Sequence, residues 1–386
     1  MDRGRDVVVT AYGRTPLTRA FKGGFAHIHP VEYGSGALRG VLERAPQVDP
    51  SLIDDIIVGC AVPEGYVGYN IARLLAKGGG LPHLVPGQTV NRLCASGLQA
   101  IAAGANAIRA GEMDIVLAGG IEMMTGMTMG HPEAYQYPRL AADVPGMYMP
   151  MGLTGELVAA RYGITRPEME AFAAESHQKA AAARAAGKFS DEIIPISVQG
   201  EEGSLVLSAD EGIRPGTTAE SLAALKPCFK EDGLLTAGTS SQMTDGAGFV
   251  LLMSRKRAEE LGCTPIARFV SFAVCGVAPE VMGIGPIPAV PKVLAKAGLT
   301  LEDMDTIELN EAFASQALAC IRALKLKPEL VNPNGGAIAL GHPMGATGTV
   351  LTCKALSELR RIGGKYALIT MCVGGGMGAA GIFAME

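Results

Sequence analysis

Short apolar runs bounded by glycine or acidic turns recur along this chain, separated by alanine- and leucine-rich stretches. The runs predict strands and the longer stretches predict helices. Residues 48–59 form an acidic turn followed by a β-rich run, and residues 299–310 repeat that design. Residues 111–120 likewise match residues 364–373. Helices are predicted over 97–110 and 345–361, and an apolar extended run over 85–90. Strands alternating with helices predict covered, largely parallel sheet. Two such units predict a duplicated α/β fold, with a repeat far too long for a solenoid. Residues 121–243 differ: they are rich in Met, Pro and Gly and hold one long predicted helix. It opens at Thr165, with Pro167 and Glu168 in its first turn, runs to about Ala186 and stops at Gly187. Residues 191–198 then read as a strand. The predicted division is an N-terminal half over 1–120, continuing at 244–268, an inserted loop domain over 121–243, and a C-terminal half over 269–386.

Composition narrows the class. The chain has 386 residues, 48% hydrophobic and 18% charged, enough for two or three domains with a large core and no disorder. A net charge of −5 gives no general field for nucleic acid or membrane, so an anionic ligand needs a local basic site. Its 51 glycines cluster inside apolar sequence, which predicts tight turns and close backbone approach. No apolar run is long enough for a bilayer, no signal peptide opens the chain, and the end Ala384-Met385-Glu386 is not a peroxisomal address. A cytoplasmic location is therefore expected. The eight cysteines are scattered without Cys-x-x-Cys, which argues against a zinc ribbon or disulfide framework.

Three separated segments carry candidate chemistry. Cys94 falls at a strand-to-helix turn, where a helix N-terminus and free N–H groups would stabilise a thiolate. Its position alone favours a small buried apolar residue; the downstream motifs reverse that preference. His342 lies in a glycine- and alanine-rich turn, among residues small enough to leave space for a ligand. Cys372 ends an apolar strand before Gly374-Gly375-Gly376, where backbone must turn sharply or approach something closely. These glycines are not a dinucleotide fingerprint, because no helix follows and no acidic residue stands where a ribose would need one. Asn310 and Glu311 follow another strand, where Asn310 also reads as a helix cap.

The segments around Cys94, Asn310-Glu311-Ala312-Phe313, His342 and Cys372, in this order, resemble the thiolase family, and so does nearly all of the intervening chain. The resemblance implies a duplicated five-layered α-β-α-β-α core with an inserted loop domain. It implies Cys94 as the nucleophile, His342 as its base and an oxyanion donor, and Cys372 as the acid/base at the substrate α-carbon. Gly374 would pair its N–H with that of Cys94 in one oxyanion hole. Asn310 would position a water that, with His342, serves the other. Phe313 would line the pantetheine tunnel. Arg214 and Ser241 read on their own as a solvated arginine and a turn serine; the resemblance implies contacts to coenzyme A. Acyl-CoA and coenzyme A are the expected partners, as substrates, with no cofactor or metal, and the subunits are expected to form a homodimer or homotetramer.

Subtype rests on departures from the family pattern. Pro150 stands where biosynthetic acetoacetyl-CoA thiolases usually carry His, and Ser240-Ser241-Gln242 resembles degradative members, where the biosynthetic form has Gly after the serine. Seven of the 18 methionines lie between Met123 and Met151, which suits a pocket for variable acyl chains, as it equally suits core gap-filling. Met151 is assigned to substrate binding on that ground. The expected activity is that of a 3-ketoacyl-CoA thiolase. The alternatives are a biosynthetic acetyl-CoA acetyltransferase and, more remotely, a non-catalytic acyl-CoA-binding relative. A decarboxylating ketoacyl synthase is disfavoured, since such enzymes usually pair the cysteine with two histidines.

Overall fold

The computed structural model describes residues 3–127, 131, 133–200 and 203–386. Twelve strands are present among them: β1 (Val7–Arg14), β2 (Thr18–Arg19), β3 (Asp55–Gly59), β4 (Gln88–Val90), β5 (Ile115–Met123), β6 (Ile196–Gly200), β7 (Gly203–Leu207), β8 (Thr244–Ser254), β9 (Ala267–Gly276), β10 (Thr306–Leu309), β11 (Tyr366–Val373) and β12 (Met377–Met385). One large sheet runs β10-β11-β12-β9-β1-β8-β5-β3-β4, with β2 on β8, while β6 and β7 form a separate hairpin. At the β1–β9 seam only Val8–Arg268 and Val9–Ala267 pair. The sheet therefore reads as two halves joined at an edge.

The halves share one plan. β3 is parallel to β5 and β10 is parallel to β11; β5 then pairs antiparallel with β8, and β11 with β12. The turns repeat as well. Asp54 Oδ2 accepts the N–H groups of Asp114 and Ile115 at 2.7 and 2.9 Å, and Asp305 Oδ2 accepts those of Lys365 and Tyr366 at the same distances. A side-chain acceptor for two donors at the strand entrance is what the repeated acidic turns encode.

Burial follows the two faces of each half. On β3, Ile56 and Val58 pack outward with Leu38 and Leu75 of the helices Pro30–Glu43 and Ile71–Gly78, while Ile57 packs inward. The inner core holds the helices Ser96–Ala110 and Met344–Ile362, with Leu98, Ile101, Leu351 and Leu359 against Val116, Val250, Ile369 and Phe383. On the far side Ile307, Leu368 and Ile382 meet the helices Pro286–Ala297 and Ala314–Leu324. The result is five layers, α-β-α-β-α. The two central helices touch through small residues: a Cβ on Gly97 would lie 2.6 Å from Thr349 Oγ1, and one on Gly348 would lie 2.3 Å from Leu98 N. Only glycine permits that crossing, and it brings both helix N-termini to one place.

Four expectations need correction. The large sheet is mixed, not largely parallel, because β8, β9 and β12 run antiparallel to their neighbours; a tight glycine turn joins β11 to β12 where a parallel pair would need a long crossover. The extended run 85–90 is a strand only at Gln88–Val90. Pro86 has no N–H to donate, and Val85 O and His83 O accept from Arg73 instead. The run 191–198 becomes a strand only at Ile196, after Pro195, with Ile193 in an isolated bridge to Arg14. Residues 121–243 also hold a second substantial helix, Met151–Tyr162. Its glycines, Gly152 and Gly155, mask helical propensity but admit Phe229 and Phe313 against its face. The long helix is Arg166–Ala185, capped by Thr165 and ended by Gly187 at φ +69°.

Candidate active site

Cys94 lies in a single 3₁₀ turn, Leu93–Ala95, between β4 and the central helix Ser96–Ala110. The turn is pinned on both sides. Asn91 Oδ1 accepts from Leu93 N at 2.8 Å, and Ser96 Oγ accepts from Arg92 N at 2.8 Å and donates to Leu93 O at 2.7 Å. These bonds hold Leu93 at φ +43°, a left-handed conformation that costs a branched residue about 1–3 kcal/mol. That strain sits one residue before the candidate nucleophile. Nothing in the sequence signals it.

The resting thiol is neutral. Burial pushes Cys94 up to about 11; a hydrogen bond from the Gly374 backbone draws it back, and the charge of Glu122 opposes the thiolate. The expected pull of the helix N-terminus is thus outweighed by desolvation. Cys94 remains half-buried, while Cys372, near the end of β11, is fully buried. Burial first, and then the neighbouring Cys94, hold the Cys372 thiol well above its usual range. The turn at Gly374 to Gly376 has Gly375 and Gly376 at φ +75° and +85° and leads directly into β12. Cys94, Cys372 and the Gly374 N–H therefore share one small volume.

His342 occupies the break between the short helix Ala337–Leu340 and the central helix Met344–Ile362. Its N–H donates to Gln242 O at 3.1 Å. Its Nδ1 lies 2.7 Å from Thr347 Oγ1, and Asn310 Nδ2 lies 3.5 Å from both ring nitrogens. Burial lowers the imidazole to about 4, so it is neutral and able to take a proton. Asn310 does not cap a helix: the following helix starts at Ala314 with Phe313 at its N-cap. Asn310 is fully buried, and its Oδ1 has no hydrogen-bond partner among the described residues. Glu311 organises the approach to His342, accepting from Ser176 Oγ and Asn332 Nδ2 at 2.7 and 2.8 Å and from Ile338 N at 3.2 Å.

Two residues near the site went unpredicted. Thr347, five residues after His342, was within reach of a spacing argument. Glu122, fully buried at the end of β5, accepts from Ala61 N at 2.8 Å and Gly345 N at 2.9 Å. It fastens the first turn of the helix after His342 to the end of β3. Its signal was a lone carboxylate inside an apolar run.

The expected substrate residues fall in two places. Phe313 and Cys372 join one apolar cluster with Met282 and Ile338, against which Met151 packs. Met151 Sδ would lie 3.5 Å from a Cβ on Gly374, and Met147 Cε 3.4 Å from one on Gly375. Ser241 adjoins this cluster, its N–H donating to Ala312 O at 3.0 Å. Arg214 stands apart on an exposed loop, its N–H donating to His177 Nδ1 at 3.2 Å. Met129, one of the clustered methionines, lies outside the described residues. Among the described residues no group of three or more His, Cys, Asp or Glu side chains is placed to hold a metal ion.

Comparison with known proteins gives this arrangement its family. The thiolase N-terminal domain matches residues 7–256 and the thiolase C-terminal domain residues 263–385. The 3-ketoacyl-CoA thiolase of Bacillus subtilis (strain 168) is 49% identical over 98% of this chain and 99% of its own length. The peroxisomal 3-ketoacyl-CoA thiolase A of Rattus norvegicus is 47% identical over 98% of this chain and 88% of its own. Among solved structures, human mitochondrial 3-ketoacyl-CoA thiolase superposes with a TM-score of 0.91 at 39% identity, covering 99% of this chain and 100% of that one. The Bacillus anthracis acetyl-CoA acetyltransferase superposes with a TM-score of 0.92 at 38% identity, covering 99% of each chain. The chain belongs to the thiolase family. It is an acyltransferase of that fold.

Proposed function

We propose that this protein cleaves 3-ketoacyl-CoA with coenzyme A to give acetyl-CoA and a shortened acyl-CoA, reversibly, through an acyl-Cys94 intermediate. The observation that carries this reading is the shared volume of Cys94, Cys372 and the Gly374 N–H. The relatives named 3-ketoacyl-CoA thiolase support the substrate class.

Cys94 attacks the 3-keto carbon while neutral His342 accepts its proton. The new oxyanion receives the N–H groups of Cys94 and Gly374. As it collapses, the bond between C2 and C3 breaks and its electron pair passes to an enolate of acetyl-CoA. The enolate oxygen is stabilised by protonated His342 and by a water held at Asn310, whose buried Oδ1 lacks a partner among the described residues. Cys372 gives its proton to the enolate carbon, and acetyl-CoA leaves. The Cys372 thiolate then takes the proton of the incoming coenzyme A thiol, which attacks acyl-Cys94. Cys94 departs and recovers its proton from His342. Every proton moved in the first half is returned in the second.

In this reading Arg214 and Ser241 meet coenzyme A, while Met151 and Phe313 line the path of pantetheine and acyl chain. Pro150 removes a polar side chain from that pocket. An apolar pocket gains about 1 kcal/mol for each methylene it buries. Substrates longer than acetoacetyl-CoA should therefore be cleaved at least as efficiently. Thiolytic kcat/KM across a series of 3-ketoacyl-CoA chain lengths tests this; activity confined to acetoacetyl-CoA would reassign the protein to the biosynthetic subtype.

The inserted domain over residues 121–243 is part of the same reading, supported by the absence, among its described residues after Met123 ends β5, of any strand of the large sheet. So are assembly as a homodimer or homotetramer, which light scattering of dilute protein reads directly, and residence in the cytoplasm. No helix among the described residues is long and apolar enough to cross a membrane. Fluorescence microscopy of the tagged chain in its own cells tests the location, and enclosure in an organelle would contradict it.

A further inference from the structure

Gln242 has no part in the steps above. Its side chain sits at a junction. Nε2 lies 2.9 Å from Gly212 O, 2.9 Å from Ile338 O and 3.0 Å from Ala339 O. Three carbonyls accept only from a donor, so these neighbours fix which end of the amide faces them. The backbone carbonyl of Gln242 accepts the His342 N–H at 3.1 Å and the Thr244 hydroxyl at 2.8 Å. Gln242 thus touches both the turn that leads into His342 and the loop that leads to Arg214.

That loop is an anchored arm. Arg14 forms a bidentate pair with Asp210 at 2.7 and 2.9 Å, and Leu17 N donates to the same carboxylate at 2.8 Å. Glu211 accepts from Gly24 N at 2.8 Å and Arg19 N at 3.2 Å. Gly212 presses on the His342 side so closely that a Cβ would lie 2.5 Å from Ala339 O. The Gln242 amide fills the contact between Gly212 and Ala339. Beyond it, Arg214 is exposed and faces solvent from a fixed base.

We propose that Gln242 is a positioning residue whose amide clamps the arm carrying Arg214 to the turn carrying His342, so that the arginine is in place for the nucleotide end of coenzyme A before it binds. This rests on the reading in which Arg214 meets coenzyme A. Without the clamp the tip of the arm keeps only the bond from Arg214 N–H to His177 Nδ1 beyond its anchored base, and the ordering then left to binding weakens affinity. The penalty falls only on substrates long enough to reach Arg214. His342 keeps its backbone partner in every Gln242 variant.

The test crosses substitution with substrate length in the full-length enzyme. Gln242→Ala and the similarly sized Gln242→Met are assayed with acetoacetyl-CoA plus coenzyme A, and with the N-acetylcysteamine thioester plus N-acetylcysteamine, which end before the nucleotide. For the coenzyme A pair, kcat/KM should fall about tenfold, mainly through KM, as expected for losing one or two modest hydrogen bonds. For the truncated pair it should change less than about twofold. Equal losses with both pairs, or none with either, would overturn the inference. Arg214→Ala separates the two readings. If it leaves coenzyme A kinetics at the parent level, the coenzyme A role of Arg214 fails; if it weakens them while Gln242→Ala harms both pairs alike, only the clamp fails.

Discussion

The neutral resting state of the proposed catalytic pair, Cys94 and His342, has a direct kinetic signature. Burial disfavours the charged form of either group, so it raises the acid Cys94 to about 11 and lowers the base His342 to about 4. At pH 7.5 about one Cys94 in 3,000 is then thiolate, against about one in ten for an ordinary thiol near 8.5. Alkylation of Cys94 by iodoacetamide should accordingly be slow at neutral pH and rise about tenfold per pH unit, without levelling off below pH 10. Quenched time courses from pH 6 to pH 10, with the modified peptide quantified by mass spectrometry, give the rate at Cys94 separately from exposed Cys228. A plateau between pH 6 and pH 8 would refute the reasoning, because it would mark a preformed thiolate–imidazolium pair. In the proposed mechanism the proton then leaves Cys94 as the carbonyl is attacked.

The other predictions concern the second cysteine and the core. Cys372→Ala should still let Cys94 accept an acyl group but should abolish exchange of the acetyl-CoA α-protons with deuterium oxide; exchange at the parent rate would remove Cys372 from the acid/base role. Gly348→Ala should destabilise the fold by at least about 1–3 kcal/mol, since the added methyl would sit 2.3 Å from the Leu98 backbone N; an unchanged urea midpoint would contradict the helix crossing.

What could be read from the chain follows from what is local. The repeated acidic turns were legible because each directly precedes its strand, whereas the two N–H groups that Asp54 and Asp305 each accept lie at the entrance of the neighbouring strand, sixty residues on. His342 and Cys372 stood out because small residues adjoin them, and Cys94 stood out through those downstream motifs and the family resemblance they carry. Strand direction did not, since β5 meets β8 only after the long intervening segment returns. The strain at Leu93 and the pairing of Asn310 with His342 are likewise products of distant packing. The rise of Cys94 above an ordinary thiol was missed because a helix N-terminus is visible in sequence and desolvation is not.

The central claim is covalent, and one measurement addresses it. Acetoacetyl-CoA is added in the absence of free coenzyme A, the reaction is quenched in acid, and intact mass and peptide mapping locate any acetyl group. The account predicts one acetyl group per chain on Cys94, absent in Cys94→Ala and removed on adding coenzyme A at a rate no slower than turnover. An acetyl group on Cys60, Cys228 or Cys353, or full thiolytic activity in Cys94→Ala, would contradict it.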